Sequence, residues 1–144
     1  ELTNCYFIPP LVKSPVTCEK NKDIVLINFG GLENPHWDIQ ITVEYIRSIL
    51  SSILPQLEGE KVKIVCSQAH LPFLTDYDVQ TCCYEKMQEL LQCTKFLIAT
   101  PGLGNLYEAA NYQIPSLFLP PANDSQGQQL NILKEKGLID NSID

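Results

Sequence analysis

Positive charge is scarce in this sequence: Lys and Arg number 10 against 17 Asp and Glu, a formal net charge of −7. The basic residues are scattered, and a phosphate-backbone partner needs them clustered, so nucleic-acid binding is excluded from the expected functions. Long apolar runs are missing as well. The stretch at 96–99 falls far short of the ~20 residues that span a bilayer, so no transmembrane segment is expected. There is no block of like charge and no biased tract. With 44% hydrophobic and 19% charged residues, the chain has the balance of a packed protein rather than a disordered one. Methionine occurs once, at position 87, and the first residue is Glu1; the expectation is a processed or excised piece of a longer protein.

What is present is 144 residues, enough for one core that buries roughly two-thirds of the surface an unfolded chain exposes. The six cysteines stand at 5, 18, 66, 82, 83 and 93, with no C-x-x-C pair. A chain of this length does not depend on a disulfide framework, and four of the six lie in or beside apolar segments. Reduced thiols, a cytoplasmic location and no bound metal are therefore expected. Cys82 and Cys83 would point to opposite faces if their segment is a strand.

Residues 1–22 contain Pro9, Pro10 and Pro15 and lack periodicity, which reads as an extended segment leading into an organised domain at 23–144. Residues 24–29, IVLINF, form a continuous β-rich run ended by Gly30 and Gly31, the pattern of a strand buried on both faces. Asn34 and Pro35 then offer a cap and a first-turn proline. Ile39, Val43, Ile46, Leu50, Ile53 and Leu54 recur at helical spacing as far as Pro55. The alternation continues with strands at 61–66, 78–83, 95–99 and 114–119 and helices at 84–93, 104–112 and 125–136, the last ending at Gly137. The expected fold is α/β: a three-layer Rossmann-like domain with a parallel sheet of five or six strands, helices on both faces, and ligands beyond the carboxyl ends of the strands.

Three segments that follow strands carry the candidate chemistry: 28–34, 84–87 and 100–108. Gly30 and Gly31 let backbone amides approach a ligand, and a helix begins a few residues later, so its positive end could meet a phosphate. The same glycines suit a tight strand-to-helix turn, and they form neither the G-x-G-x-x-G fingerprint nor a Walker loop. In the second glycine-bearing segment, Gly102, Leu103, Gly104 and Asn105 precede Glu108. A carboxylate there could accept hydrogen bonds from both hydroxyls of a ribose while the loop amides face a diphosphate. Alone, Glu108 would read as a solvated acid favouring a helix start.

Beyond Glu108 come Gln113-Ile114-Pro115, the apolar stretch 116–120 ending in proline, and a Gln-rich stretch reaching Asn131. This order resembles the donor-binding signature of GT-B glycosyltransferases, especially the peptidoglycan-precursor GlcNAc transferase and the UDP-glycosyltransferases, across most of residues 5–137. Met87 stands fifteen positions before Gly102, matching the bacterial transferase, in which the loop just before that methionine binds the base through backbone atoms; Tyr84 and Glu85 would take that place. The resemblance implies that Gly30 and Gly31 lie near the diphosphate with Gly102 on its other side, that Glu108 grips the ribose, and that Gln128 contacts the sugar hydroxyls, with Gln126 and Gln129 as alternates. It further implies a nucleotide-diphosphate sugar, UDP-linked, as substrate and no cofactor. Transfer would be metal-independent, and residues 1–22 would be the interdomain linker from an N-terminal acceptor-binding domain or companion chain.

Some positions depart from the family. Thr100 stands where a histidine or arginine is common, Asn105 replaces a Ser or Thr, Gly127 an acid, and Gln113 a glycine. Apart from Lys86, no Lys or Arg falls in the three segments, so the diphosphate would depend on neutral donors and helix ends. Asp76-Tyr77-Asp78 is formally a D-x-D but precedes a strand. His70 reads as a structural histidine, and His36 stands at the mouth of the first helix. A nucleotide-sugar epimerase and a noncatalytic subunit share this architecture; a NAD-binding domain lacks its fingerprint here and a receiver domain its acidic cluster.

Overall fold

A computed structural model describes residues 21–33 and 38–139. Ile24–Asn28 form β1, and all five of its side chains are buried. Alternate residues of this strand feed two separate cores. Val25, Ile27 and Phe29 pack with Val43, Ile46 and Leu50, whereas Ile24 and Leu26 pack with Leu90, Leu91 and Ala109. That division is the period-two alternation of a strand covered on both sides.

The remaining elements are α1 (Ile39–Ile53), β2 (Lys61–Val65), β3 (Val79–Gln80), α2 (Tyr84–Cys93), β4 (Thr94–Ala99), α3 (Leu103–Asn111), β5 (Ser116–Phe118) and α4 (Asp124–Glu135). The five strands make one sheet in the order β3-β2-β1-β4-β5, and every pairing is parallel. Helix α1 covers one face; α2 and α3 cover the other, with Leu130 of α4 joining their core. The fold is therefore a three-layer Rossmann-like α/β domain, with five strands among the described residues.

Several boundaries differ from the sequence reading, for local reasons. The strand expected at 78–83 shortens to Val79–Gln80, because it sits at the sheet edge with one neighbour. Cys82 and Cys83 lie outside it, and Cys83 is the N-cap of α2. The strand expected at 114–119 forms its ladder only over Ser116–Phe118. Helix α1 is capped by Asp38, whose side chain accepts from Gln40 N–H; the Asn34-Pro35 start falls outside the described residues, as do His36 and residues 1–20. Past Ile53 the chain tightens into a 3-10 turn at Leu54–Leu57, since Pro55 donates no hydrogen bond and ends the α-helix.

Candidate functional site

Strand order reverses between β1 and β4. From β1 the chain passes through α1 to β2 on one side, while α2 carries it back across the sheet to β4 on the other. In open α/β sheets a crevice opens at this reversal, beyond the carboxyl ends of the two strands. Two glycine turns occupy it: Gly30-Gly31 after β1 and Gly102 after β4.

Four residues join these turns. Asn28 Nδ2 donates to Asn105 Oδ1 at 2.8 Å, and Gly30 N–H donates to Asn28 Oδ1 at 2.9 Å. Asn105 Nδ2 donates to Thr100 O at 2.9 Å and to Thr100 Oγ1 at 3.1 Å. The Thr100 hydroxyl in turn donates to Gly30 O. Asn28, Thr100 and Asn105 are all buried, which is consistent with their polar atoms being satisfied. A further link comes from Gln126, also buried: its Oε1 accepts from Ala122 N–H at 2.9 Å and its Nε2 reaches Gly31 O at 3.5 Å.

This network revises two expectations. The Asn105 side-chain amide, buried, donates inward to Thr100. Gly30 N–H is engaged by Asn28 and is not open to a ligand. Gly31 N–H makes no hydrogen bond to a described residue, and Gly31 has φ +78, a conformation natural to glycine.

At α3 the N-cap is Gly102, with no side-chain cap, and the first intrahelical bond runs from Leu106 N–H to Gly102 O at 3.1 Å. The amides of Leu103, Gly104 and Asn105 precede it and lack intrahelical acceptors, so they form the positive end of the helix. A Cβ on Gly102 or Gly104 would meet open space. Among the described residues, neither glycine is demanded by backbone strain or by packing.

Glu108 lies on the second turn of α3 and is half-buried. Burial raises its carboxyl pKa above the ordinary range. Its Oε1 accepts from Gln88 Nε2 at 3.4 Å, and Gln88 Oε1 accepts from the Tyr112 hydroxyl. Helices α2 and α3 thus lie side by side with both N-termini at the crevice end; one turn before Gln88 is Tyr84, and one turn before Glu108 is Gly104. Residues 84–87 are not a loop but the first turn of α2, where Glu85 suits the positive helix end. Tyr84 and Glu85 are exposed, while Met87 packs into the core. Lys86 is exposed and paired with Glu89 at 3.0 Å.

The three glutamines of α4 separate clearly. Gln126 is part of the buried network. Gln129 is half-buried and donates to Ser125 Oγ at 3.3 Å. Gln128 is exposed and lines a depression with Pro121, Asn123, Asp124 and Asn131. Tyr45 on α1 supports this region from behind by donating to Pro120 O at 2.7 Å, and burial pushes its phenol up to about 12.

Other candidates have structural roles. Asp76 pairs with Arg47 at 3.3 Å. His70 is buried, its pKa lowered by burial against the opposing pull of Glu33, and its Nδ1 has no partner. Glu33 accepts from the Ser67 hydroxyl. Among the described residues no three metal-ligating side chains converge, Cys66, Cys82, Cys83 and Cys93 are free thiols, and no helix is long and apolar enough to cross a membrane.

Asn28 and Gln88 did not stand out in the sequence. The available signal for Asn28 was a lone polar residue inside an otherwise apolar buried run; Gln88 carried none. No family model matches the chain, and no curated protein matches it. The fold defines a class, a parallel Rossmann-like α/β domain whose strand order reverses between β1 and β4.

Proposed function

We propose that the chain is the donor-binding domain of a GT-B type glycosyltransferase, which holds a nucleotide-diphosphate sugar for metal-independent glycosyl transfer. The observation that carries this reading is that Gly31 after β1 and the uncapped start of α3 after β4 both follow the carboxyl ends of the two strands between which the order reverses, with Glu108 one turn further along α3. A Gly in a helix costs roughly 0.5–1 kcal/mol relative to Ala, and the chain keeps Gly104 where a Cβ would meet only open space. Close approach of a ligand to the backbone is the reason this reading supplies.

In it, the amides of Gly31, Leu103 and Gly104 stabilise the departing diphosphate, and the helix end contributes about half a positive charge. Glu108 accepts from the ribose hydroxyls, with Gln88 holding its carboxylate; Tyr84 and Glu85 lie beside the base, and Gln128 reaches the sugar. Ile41, Tyr84 and Leu103 are 58%, 54% and 52% exposed on the first turns of three helices that open on this face. Large apolar side chains around a polar crevice favour a covering partner, namely an acceptor-binding domain or companion chain.

Titration of the chain with UDP, GDP, dTDP, CDP and ADP, alongside Glu108→Ala, tests the reading. Binding of a ribonucleoside diphosphate, weakened about tenfold or more by Glu108→Ala, is expected, since hydrogen bonds to a charged group contribute about 1.5–3 kcal/mol. If no nucleotide binds and the variant behaves as wild type, the reading fails.

A further inference from the structure

The hydrogen bonds around Gly30 close on themselves. Gly30 N–H donates to Asn28, Asn28 to Asn105, Asn105 to Thr100, and Thr100 back to Gly30 O. Gly30 is thereby gripped through the peptide groups on both its sides, one by its N–H and the other by its carbonyl, and the other end of the grip is the first turn of α3. Backbone pairing reinforces it, with Thr100 N–H donating to Asn28 O at 3.1 Å. Every side chain in the ring is neutral, and each sits where a proton must point one way for the ring to close.

We infer that Asn28, Thr100 and Asn105 are positioning residues: the ring sets the separation between Gly31 and the α3 amides, and its neutrality keeps that gap receptive to an anion. This rests on the donor-site reading for its ligand, though not for its geometry. Asn28 is the critical member, because it must accept from Gly30 and donate to Asn105 at once. A carboxylate of the same shape accepts but does not donate, and it would set an oxygen against Asn105 Oδ1 and add a buried negative charge behind the crevice. Protonation of that carboxyl restores the missing donor.

The test compares wild type, Asn28→Asp, Thr100→Val and Thr94→Val. Thr94 is buried at the opposite end of β4, donating to Leu90 O at 2.7 Å, so its loss controls for stability alone. UDP affinity is measured by calorimetry from about pH 8 down to about pH 5, toward the range where a carboxyl group takes up its proton, with melting temperatures in parallel. At the upper pH, Asn28→Asp should bind about tenfold or more weakly, the size expected when a buried polar partner is lost. Its deficit against wild type should shrink as pH falls, and Thr100→Val should show a deficit independent of pH. Thr94→Val should melt lower yet bind as wild type does. An Asn28→Asp affinity within about twofold of wild type, or a deficit that ignores pH, overturns the proposal.

Hydrogen exchange separates this outcome from failure of the donor reading. If wild type binds no nucleotide, the ring is judged by protection of the Gly30 and Leu106 amides in Asn28→Asp. Loss at both sites that recovers on acidification supports it, and loss confined to Gly30 overturns it.

Discussion

The two ends of the sheet treat polarity in opposite ways. At the amino end the cross-strand pairs are charged and wet, beside a buried Thr94 whose hydroxyl bonds only to the preceding helix turn: Lys61 pairs with Asp23 at 3.0 Å and Lys95 pairs with Glu60, all four side chains well exposed. At the carboxyl end, between β1 and β4, the polar groups are uncharged and buried, and they close on one another. Exposed pairs contribute little and exchange freely with water, whereas a buried network is rigid once all its members are satisfied. The difference shows which end the fold has fixed in shape. On the proposed reading, an acidic chain would attract an anion through helix ends and amides rather than through lysines.

That contrast can be broken most forcefully at Gly31. Its φ of +78 makes Gly31→Ala cost roughly 1–2 kcal/mol, seen as a lower denaturation midpoint, together with a loss of nucleotide affinity because the turn re-aims its amide. Gly104→Ala should separate the two properties. It should raise stability by roughly 0.5–1 kcal/mol while weakening nucleotide binding; a variant that is both more stable and equally tight would argue that Gly104 faces no ligand.

Glu108 sharpens the comparison through pH. Burial holds its folded carboxyl above the ordinary 4.5, so the folded chain binds that proton more tightly than the unfolded chain. Stability linked to this group is therefore full below the unfolded value and is lost as pH rises through the raised folded value. Thermal melts of Glu108→Gln and wild type should coincide in acid and diverge toward neutrality, with the variant melting higher. The smallest effect belongs to the amino end. Lys61→Met should change stability by about 0–1 kcal/mol, in a way that added salt erases, and leave nucleotide titrations unchanged.

Much of the architecture was legible because burial on both faces writes itself into consecutive residues. The run at 24–29 and the segment ending at Ala99 could hardly be anything but central strands, and the spacing of Val43, Ile46 and Leu50 marks the covered stripe of α1. Edge elements were harder. Val79–Gln80 has a single neighbour in the ladder, so flanking residues with strand-forming side chains had nothing to pair with, and Cys83 went to the helix start instead. The site divided in the same manner. Glycines and an acid near a helix start are local signals, so Gly31, Gly102 and Glu108 could be named as candidates from sequence. The contact between Asn28 and Asn105 spans 77 positions, and no local pattern announces it.

The placement of α2 has a consequence for how the chain acquires this site. Leu26 of β1 pairs with Lys63 of β2 and with Leu97 of β4, and the second partner is far more distant in sequence. Closing that larger loop costs entropy before its contacts repay it. We expect the crevice to form late, when the returning segment docks beside β1; folding φ-values near zero for Leu97 and Ile98 would check this, and values near one would refute it. A ligand bridging the two turns would then slow the chain's departure from the native state while leaving its arrival almost unchanged.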